Sequence, residues 1–234
     1  MKKALLLDVS AMMYRAYFSL INMSNSKGEA TGAIFGFTNM LLNLIEEYEP
    51  DYIIAAFDNK RSSLKRTEKF SEYKAQRKPM PEDLLEQVPK IEKLLDGFGI
   101  KKYRVEGYEA DDLLGTVARR SEAKGMDVTI LSGDRDLLQL ATDKVLIRLP
   151  KTVRGKTTIE NYHTAEVLEK YQVTPPQIIE LKALMGDSSD NIPGIPGVGE
   201  KTATKMVVQF GSIENAHEHL EEVKPNKAKE SLRE

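Results

Sequence analysis

The amino-acid sequence predicts an α/β fold with a mainly parallel central sheet flanked by helices, and three observations carry that expectation. Apolar runs of strand length at residues 3–9 (KALLLDV), 51–58 (DYIIAAFD) and 127–132 (DVTILS) have few polar interruptions, as strands covered on both faces do. Segments of helical periodicity separate them, which implies crossover connections and parallel pairing. After about residue 163 the alternation stops, and short helices and turns take over.

Residues 3–9 form the first strand, which ends on Asp8. Residues 31–48 then space Ile34, Phe37, Leu41, Leu44, Ile45 and Tyr48 along one helical face, and Pro50 ends that helix. The second strand, 51–58, also ends on an acid, Asp58. Residues 79–98 read as one amphipathic helix closed by Gly97 and Gly99, and 101–105 as a short third strand. A helix over 109–124 carries Glu109, Asp111 and Asp112 in its first turn and Gly125 behind its last. The fourth strand, 127–132, leads into Gly133-Asp134-Arg135-Asp136 and a short helix at 137–141. A fifth strand covers 144–149, and 153–158 forms one arm of a small hairpin around Arg154-Gly155-Lys156. Thr174-Pro175-Pro176 starts a further helix, and GIPGVG at 194–199 separates it from another at 200–210. The expected units are a core over 1–163 and a helical region over 164–234.

Composition narrows the function classes. At 41% hydrophobic and 30% charged residues, the chain can bury a sizeable core and stay soluble. No apolar run reaches the roughly 18 residues of a membrane span, and the start does not resemble a signal peptide. The lack of cysteine excludes a disulfide framework or thiolate metal site; a bacterial-type cytoplasmic location fits. The net charge of −2 conceals a basic stretch at 60–78, where eight lysines and arginines face only Glu68 and Glu72.

In an open α/β sheet, ligands gather outside the carboxyl ends of the strands. Asp8, Asp58, Asp134 and Asp136 fall at such ends. Glu109, Asp111 and Asp112 open a helix that can start at the same edge, and Asp187 and Asp190 bring the set to nine. Singly, each has a structural explanation as a helix-dipole partner, a cap or turn residue, or a satisfied buried acid. Jointly they repel one another unless cations or protons neutralise them. Oxygen ligands favour Mg²⁺ or Mn²⁺ over Zn²⁺, and His163, His217 and His219 lie away from these acids in sequence. Two such ions roughly 3.5–4 Å apart can activate water and assist a leaving phosphodiester oxygen. Metal-dependent phosphodiester hydrolysis is therefore the expected chemistry.

The turn Pro193–Ala203 (PGIPGVGEKTA) offers Gly197 and Gly199 for close backbone approach and positive φ, then a helix start with free N–H groups and Lys201 and Lys205 nearby. An ordinary helix–helix connector is the plainer reading. A P-loop is excluded, because Glu200 stands where the lysine of that motif belongs and no buried strand precedes the turn. A helical hairpin that binds phosphates without reading bases fits better.

YEADD (108–112), SGDRD (132–136) and LMGDSSDNIPGIPGVGEKTA (184–203) together resemble the 5′-nuclease (flap endonuclease) family, in particular the N-terminal 5′–3′ exonuclease domain of bacterial DNA polymerase I. LLLDVSAMMYRAYF (5–18), AAFD (55–58) and EYKAQRKPMPEDL (72–84) follow in the family's order, so the resemblance covers essentially the whole chain. It implies a PIN-like 5′-nuclease fold with a helical arch at about 60–90 and a C-terminal helix–turn–helix DNA clamp. It also implies two Mg²⁺ or Mn²⁺ ions held among Asp8, Asp58, Glu109, Asp111, Asp112, Asp134, Asp136, Asp187 and Asp190. Asp8, Glu109, Asp111 and Asp134 are best placed near one ion, Asp136, Asp187 and Asp190 near the other, and Asp58 and Asp112 can serve either.

By the same resemblance Lys74 and Arg77 act on the scissile phosphate, and Arg15, Arg66 and Tyr73 contact DNA; a structural salt bridge is an equal reading for Arg15. Tyr73 could stack on an unpaired base. Gly197, Gly199, Lys201 and Thr202 match the clamp, which in the family commonly holds K⁺. The implied partner is branched or flapped double-stranded DNA with a 5′ single-stranded end, with no membrane and with a polymerase domain as a candidate neighbour in a longer chain. Two departures stand out. Val9 replaces the usual glycine after the first aspartate, and the chain stops before the several further helices with which such domains continue, so it reads as a fragment. A non-catalytic branched-DNA module and a PIN-like ribonuclease are the alternatives; the full acidic set argues against the first, the glycine-rich clamp against the second.

Overall fold

The computed structural model describes residues 1–153 and 156–233. Its centre is a six-stranded sheet in the order β3-β2-β1-β4-β5-β6. These are β1 (Lys3–Asp8), β2 (Tyr52–Ala56), β3 (Lys101–Tyr103), β4 (Asp127–Leu131), β5 (Val145–Val153) and β6 (Lys156–Tyr162). The first five are mutually parallel, and β6 returns antiparallel along β5 from Ile147↔Tyr162 to Val153↔Lys156. The expected hairpin is thus a full edge strand; the turn expected at Arg154-Gly155 lies outside the described residues.

The strands are continuously apolar because both faces are covered. Along β1, Ala4 and Leu6 enter one core while Leu5 and Leu7 enter the other. The second core is closed by α1 (Val9–Ser19) and α2 (Gly32–Tyr48) with Met12, Met13, Phe37 and Leu41. Val9, the departure from the family pattern, packs into this core fully buried.

The 60–98 segment is more broken than its periodicity suggests. It holds α3 (Lys65–Lys69), α4 (Glu82–Leu85) and α5 (Val88–Gly97), with turns between. The single helix expected at 79–98 divides because Pro89 has no N–H for the carbonyl one turn back and its ring clashes there. At the break, buried Gln87 accepts a hydrogen bond from the Ile34 N–H (3.1 Å) and donates to the Asp83 carbonyl (3.0 Å). The strand expected at 101–105 pairs only as far as Tyr103.

On the other face α6 (Ala110–Glu122) packs on β1 and β4, followed by a 3₁₀ turn at Arg135–Leu140. The helical region then runs through α7 (Thr164–Tyr171), α8 (Ile178–Met185), α9 (Glu200–Phe210), α10 (Ile213–Glu218) and α11 (Asn226–Arg233). Between α8 and α9 a two-residue hairpin, β7 (Gly186–Asp187) with β8 (Ile192–Pro193), carries Asp187 and Asp190. Gly186 and Gly194 are required at its base: a Cβ on either would lie 2.2 Å or less from the backbone of the other strand's flank. Among the described residues no helix is long and apolar enough to cross a membrane.

Candidate active site

Strand order reverses at β1, so the carboxyl ends of β1 and β4 border the crevice where open α/β sheets hold ligands. Asp8 closes β1 there. Its Oδ1 accepts the Ala11 N–H (2.9 Å) as the N-cap of α1, and its Oδ2 accepts the Ser132 hydroxyl (2.6 Å). Ser132 Oγ accepts the Asp134 N–H in turn (3.1 Å), and Asp134 Oδ1 accepts the Asp136 N–H (2.8 Å). Asp58 stands two residues beyond β2, exposed, and its Oδ1 takes the Ala110 N–H (2.8 Å). That bond fixes the start of α6, and with it Asp111, at the same sheet edge.

Of these acids Asp8, Asp58, Asp111 and Asp134 have no lysine or arginine within 4.0 Å among the described residues. Burial pushes Asp8 up to about 6, against the hydrogen bonds from Ala11 and Ser132 and with repulsion from Asp58 and Asp134. Asp111 lies at the pocket floor, reached by solvent yet surrounded by protein. Burial and then repulsion from Asp8, Asp134 and Asp58 hold it well above the usual carboxylate range. Burial raises Asp134 in the same direction.

The remaining acids are paired with the chain's own cations. Arg66 forks onto Asp112 (2.7 and 2.8 Å) and reaches Glu109 (2.9 Å). The bond to Asp112 raises the guanidinium pKa, and at Asp112 the same pairing overcomes burial to leave the carboxyl below its ordinary value. Glu109 and Asp112 also complete a capping box at α6, the Asp112 carboxylate accepting the Glu109 N–H (2.9 Å). Buried Lys74 bonds Glu109 and lies 3.6 Å from Asp190, while Arg77 bonds Asp190 (2.7 Å). Tyr73 is 5% exposed and donates to Glu109 (2.7 Å), so its ring is not offered to a base; burial and the adjoining carboxylates raise its pKa.

The basic stretch therefore folds down over the acids. Its loop is knitted to the 188–191 turn: Lys74 N–H to the Asp190 carbonyl (2.9 Å), Gln76 to the Ser188 carbonyl (2.7 Å) and Asn191 to the Glu72 carbonyl (2.8 Å). Lys74 adopts φ 54° to make this contact, a left-handed conformation of the kind concentrated at functional sites.

Carboxylate oxygens of Asp136, Asp187 and Asp190 lie within 4.8 Å of one another, the arrangement a cation would need. Lys182 bridges part of this group, 2.6 Å from Asp187 and 2.8 Å from Asp136. Burial opposes charge on Lys182 and Asp187, but the pairing wins, raising the lysine and lowering Asp187 to about 2. The buried Oδ1 of Asp136 has no aligned hydrogen bond, because Lys182 approaches within charge-pairing distance at an unsuitable angle.

The nine sequence-marked acids thus meet at one edge, where Glu109, Asp112 and Asp190 touch Arg66, Tyr73, Lys74 and Arg77. Arg15 does not join them; it ties α1 to β5 through the Pro150 carbonyl (3.2 Å) and Thr152 (2.7 Å). Gly197, Gly199, Lys201 and Thr202 make no hydrogen bond or ion pair with the acids, and sit at the α8–α9 connection. Gly197 has φ 82°, but Gly199 is extended (φ −102°, ψ −178°) with open space around it, as suits the N-cap of α9. Lys182 and Ser132 were not singled out from sequence. Their signals were a lysine five residues before Asp187 at a helix end, and a hydroxyl two residues before Asp134 at a strand end.

Residues 3–172 match the model of the 5′–3′ exonuclease N-terminal, resolvase-like domain, and 173–234 match the 5′–3′ exonuclease C-terminal SAM fold. The chain belongs to the 5′–3′ exonuclease family. It is 48% identical over 232 residues to DNA polymerase I of Bacillus caldotenax and 47% identical over 233 residues to that of Bacillus subtilis. It covers 99% and 100% of its own length there but spans only 26% of each relative. Among solved structures, the phage T5 5′-exonuclease with divalent zinc bound is 25% identical with a TM-score of 0.77, over 99% of this chain and 84% of that one. The catalytic core of Rad2 with DNA shares the fold at a TM-score of 0.64 and 20% identity, over 99% and 71%.

Proposed function

We propose that this chain is a structure-specific 5′–3′ exonuclease and 5′-flap endonuclease. It hydrolyses phosphodiester bonds of branched DNA and of RNA primer ends in replication and repair, joined in a longer chain to a polymerase domain. The observation that carries this reading is the convergence of nine carboxylates on one crevice, four of them with no lysine or arginine of the described residues within 4.0 Å. Such a donor set fits hard divalent cations: it is all oxygen, it is self-repelling, and it includes a buried oxygen on Asp136 without an aligned donor.

Asp8, Glu109, Asp111 and Asp134 would lie around one Mg²⁺ or Mn²⁺ and Asp136, Asp187 and Asp190 around a second, with Asp58 and Asp112 able to serve either, in part through bound water. When bound, the ions supply activated water and neutralise charge on the phosphate. Ser132 orients Asp8 and Asp134 relative to each other through its single hydroxyl. Lys74 and Arg77, held at the rim by Glu109 and Asp190, present fixed cations where negative charge develops on the phosphate. The α8–α9 turn, with Gly197, Gly199, Thr202 and exposed Lys201, holds duplex phosphates without reading sequence, with K⁺ as the accompanying ion.

A fluorescent 5′-flap substrate tests the proposal. Cleavage that appears on adding Mg²⁺ or Mn²⁺ and vanishes on chelation is the expected result; flap binding with no metal-dependent cleavage would overturn it.

A further inference from the structure

Asp136, Asp187 and Asp190 each bring one oxygen within 4.8 Å of the others, and the groups that touch them are of two kinds. Ser189 donates its N–H (2.8 Å) and its hydroxyl (2.6 Å) to Asp187 Oδ1, and these neutral donors hold the carboxylate without cancelling its charge. The cations do cancel charge. Arg77 pairs with Asp190 alone of the three (2.7 Å). Among the described residues Lys182 is the cation that spans two of them, its Nζ 2.6 Å from Asp187 Oδ2 and 2.8 Å from Asp136 Oδ1. Mg²⁺ bonds carboxylate oxygens at about 2.1 Å, so an ion on either of those oxygens would stand within about 5 Å of the ammonium. Like charges that close oppose each other strongly in a half-buried site.

The lysine is placed so that it can give way. Its helix, α8, is anchored by buried Leu181 and Leu184, and its own carbonyl accepts the Gly186 N–H. The side chain does not share that anchorage. It is 33% exposed and lines a cavity of about 430 Å³ together with Asp111 and Asp134. It also meets Asp136 at an angle that leaves the buried Oδ1 without an aligned hydrogen bond. A flexible four-carbon stem can swing the ammonium toward that cavity while the backbone stays fixed. Lys74, by contrast, is 8% exposed and bonded to Glu109.

We propose that Lys182 is the counter-ion that the second divalent cation must displace, and that it sets how tightly this cation binds. The inference rests on the two-cation reading of the site and deepens it. In the metal-free chain the ammonium keeps Asp136 and Asp187 matched; as an ion arrives, the ammonium turns out toward the cavity. The ion at this group is therefore the weaker of the two, because no lysine or arginine of the described residues lies within 4.0 Å of Asp8, Asp58, Asp111 or Asp134. A charge within roughly 4–6 Å moves a carboxylate's proton affinity by about one to three powers of ten. A divalent ion feels the same charge twice as strongly as a proton does. A lysine that merely braced the acids would act in the opposite direction, since its loss would loosen them and weaken the ion.

Titration with Mn²⁺, followed by the paramagnetic signal of the free ion, counts bound ions and needs no DNA. The wild type should take up a tighter and a weaker ion. Lys182→Met keeps the stem and removes the charge, and should lower the Kd of the weaker ion at least about tenfold. The tighter ion should be unchanged, and Lys182→Arg, which keeps the charge, should not tighten the weaker one. Adding Asp187→Asn to Lys182→Met should abolish the gain, which ties it to this group. Metal-free Tm should fall for Lys182→Met, and its rise on adding Mn²⁺ should exceed that of the wild type. If Lys182→Met does not fold without metal, Lys182→Gln carries the same titration. Weaker or unchanged uptake by the uncharged variants, or equal tightening by Lys182→Arg, would overturn the proposal. One ion in the wild type and two in Lys182→Met supports it; one in both overturns it. Metal-dependent flap cleavage with an unaltered titration sinks this assignment alone, whereas no Mn²⁺ uptake by either protein sinks the two-cation reading with it.

Discussion

The two halves of the acidic crevice are built on opposite principles. Glu109, Asp112, Asp136, Asp187 and Asp190 are matched by Arg66, Lys74, Arg77 and Lys182, whereas Asp8, Asp58, Asp111 and Asp134 face one another with no cation of the chain within 4.0 Å among the described residues. The matched half is stabilised by the fold itself. In the unmatched half Asp8 accepts bonds from Ala11 and Ser132, Asp58 one from Ala110 and Asp134 one from Asp136, and the half carries an electrostatic cost the fold does not offset. Acids placed at such a cost are the ones for which external cations have most to contribute.

The largest test of this division is functional. Asp134→Ala should lower metal-dependent cleavage by about 10³-fold, the scale of losing a preorganised electrostatic group, while leaving flap binding largely intact. Asp112→Ala should do likewise, although part of its effect comes through the loss of Arg66 and of the α6 capping box. Near-wild-type turnover by either would remove that acid from the site.

Stability should separate the halves next. Without metal, Asp190→Asn leaves Arg77 and buried Lys74 short of a partner and should cost about 2 kcal/mol in urea unfolding. Asp111→Asn removes a repelling charge and should instead stabilise the metal-free chain. Shifts of the same sign and similar size in both variants would show that the halves do not differ in this way.

The pH response follows from Asp8. Its folded value of about 6 lies above the ordinary 3.8, so its contribution to metal-free stability is full below about 3.8 and is lost as pH rises through about 6. An ion must displace that proton, so the rise in Tm on adding Mg²⁺ should be small near about pH 5 and larger near about pH 8. A metal-induced shift independent of pH would contradict the assignment. The smallest effect belongs to the clamp: Lys201→Ala should weaken duplex binding a few-fold for every sequence and reduce the salt slope by about one.

Much of this arrangement is legible in the chain itself. Asp8 and Asp134 follow apolar runs whose strand character is unmistakable, and local capping preferences account for Glu109 and Asp112 at the start of α6. The hairpin at 153–158 was visible, but not its extension to Tyr162, because β6 is an edge strand with little apolar pattern. Pro89 marked a break that the helical periodicity of 79–98 overrode. The pairing of Arg66, Lys74 and Arg77 with acids 35 to 116 positions away is not legible, since charge complementarity over such separations depends on how the loops fold back. Burial of Tyr73 belongs to the same kind of information.

Diffraction from crystals soaked in Mn²⁺ tests the central claim most directly. Anomalous peaks are expected within coordination distance of Asp8, Asp111 and Asp134, and between Asp136, Asp187 and Asp190. An absence of density at the first group, with these carboxylates still facing one another unaccompanied, would contradict it.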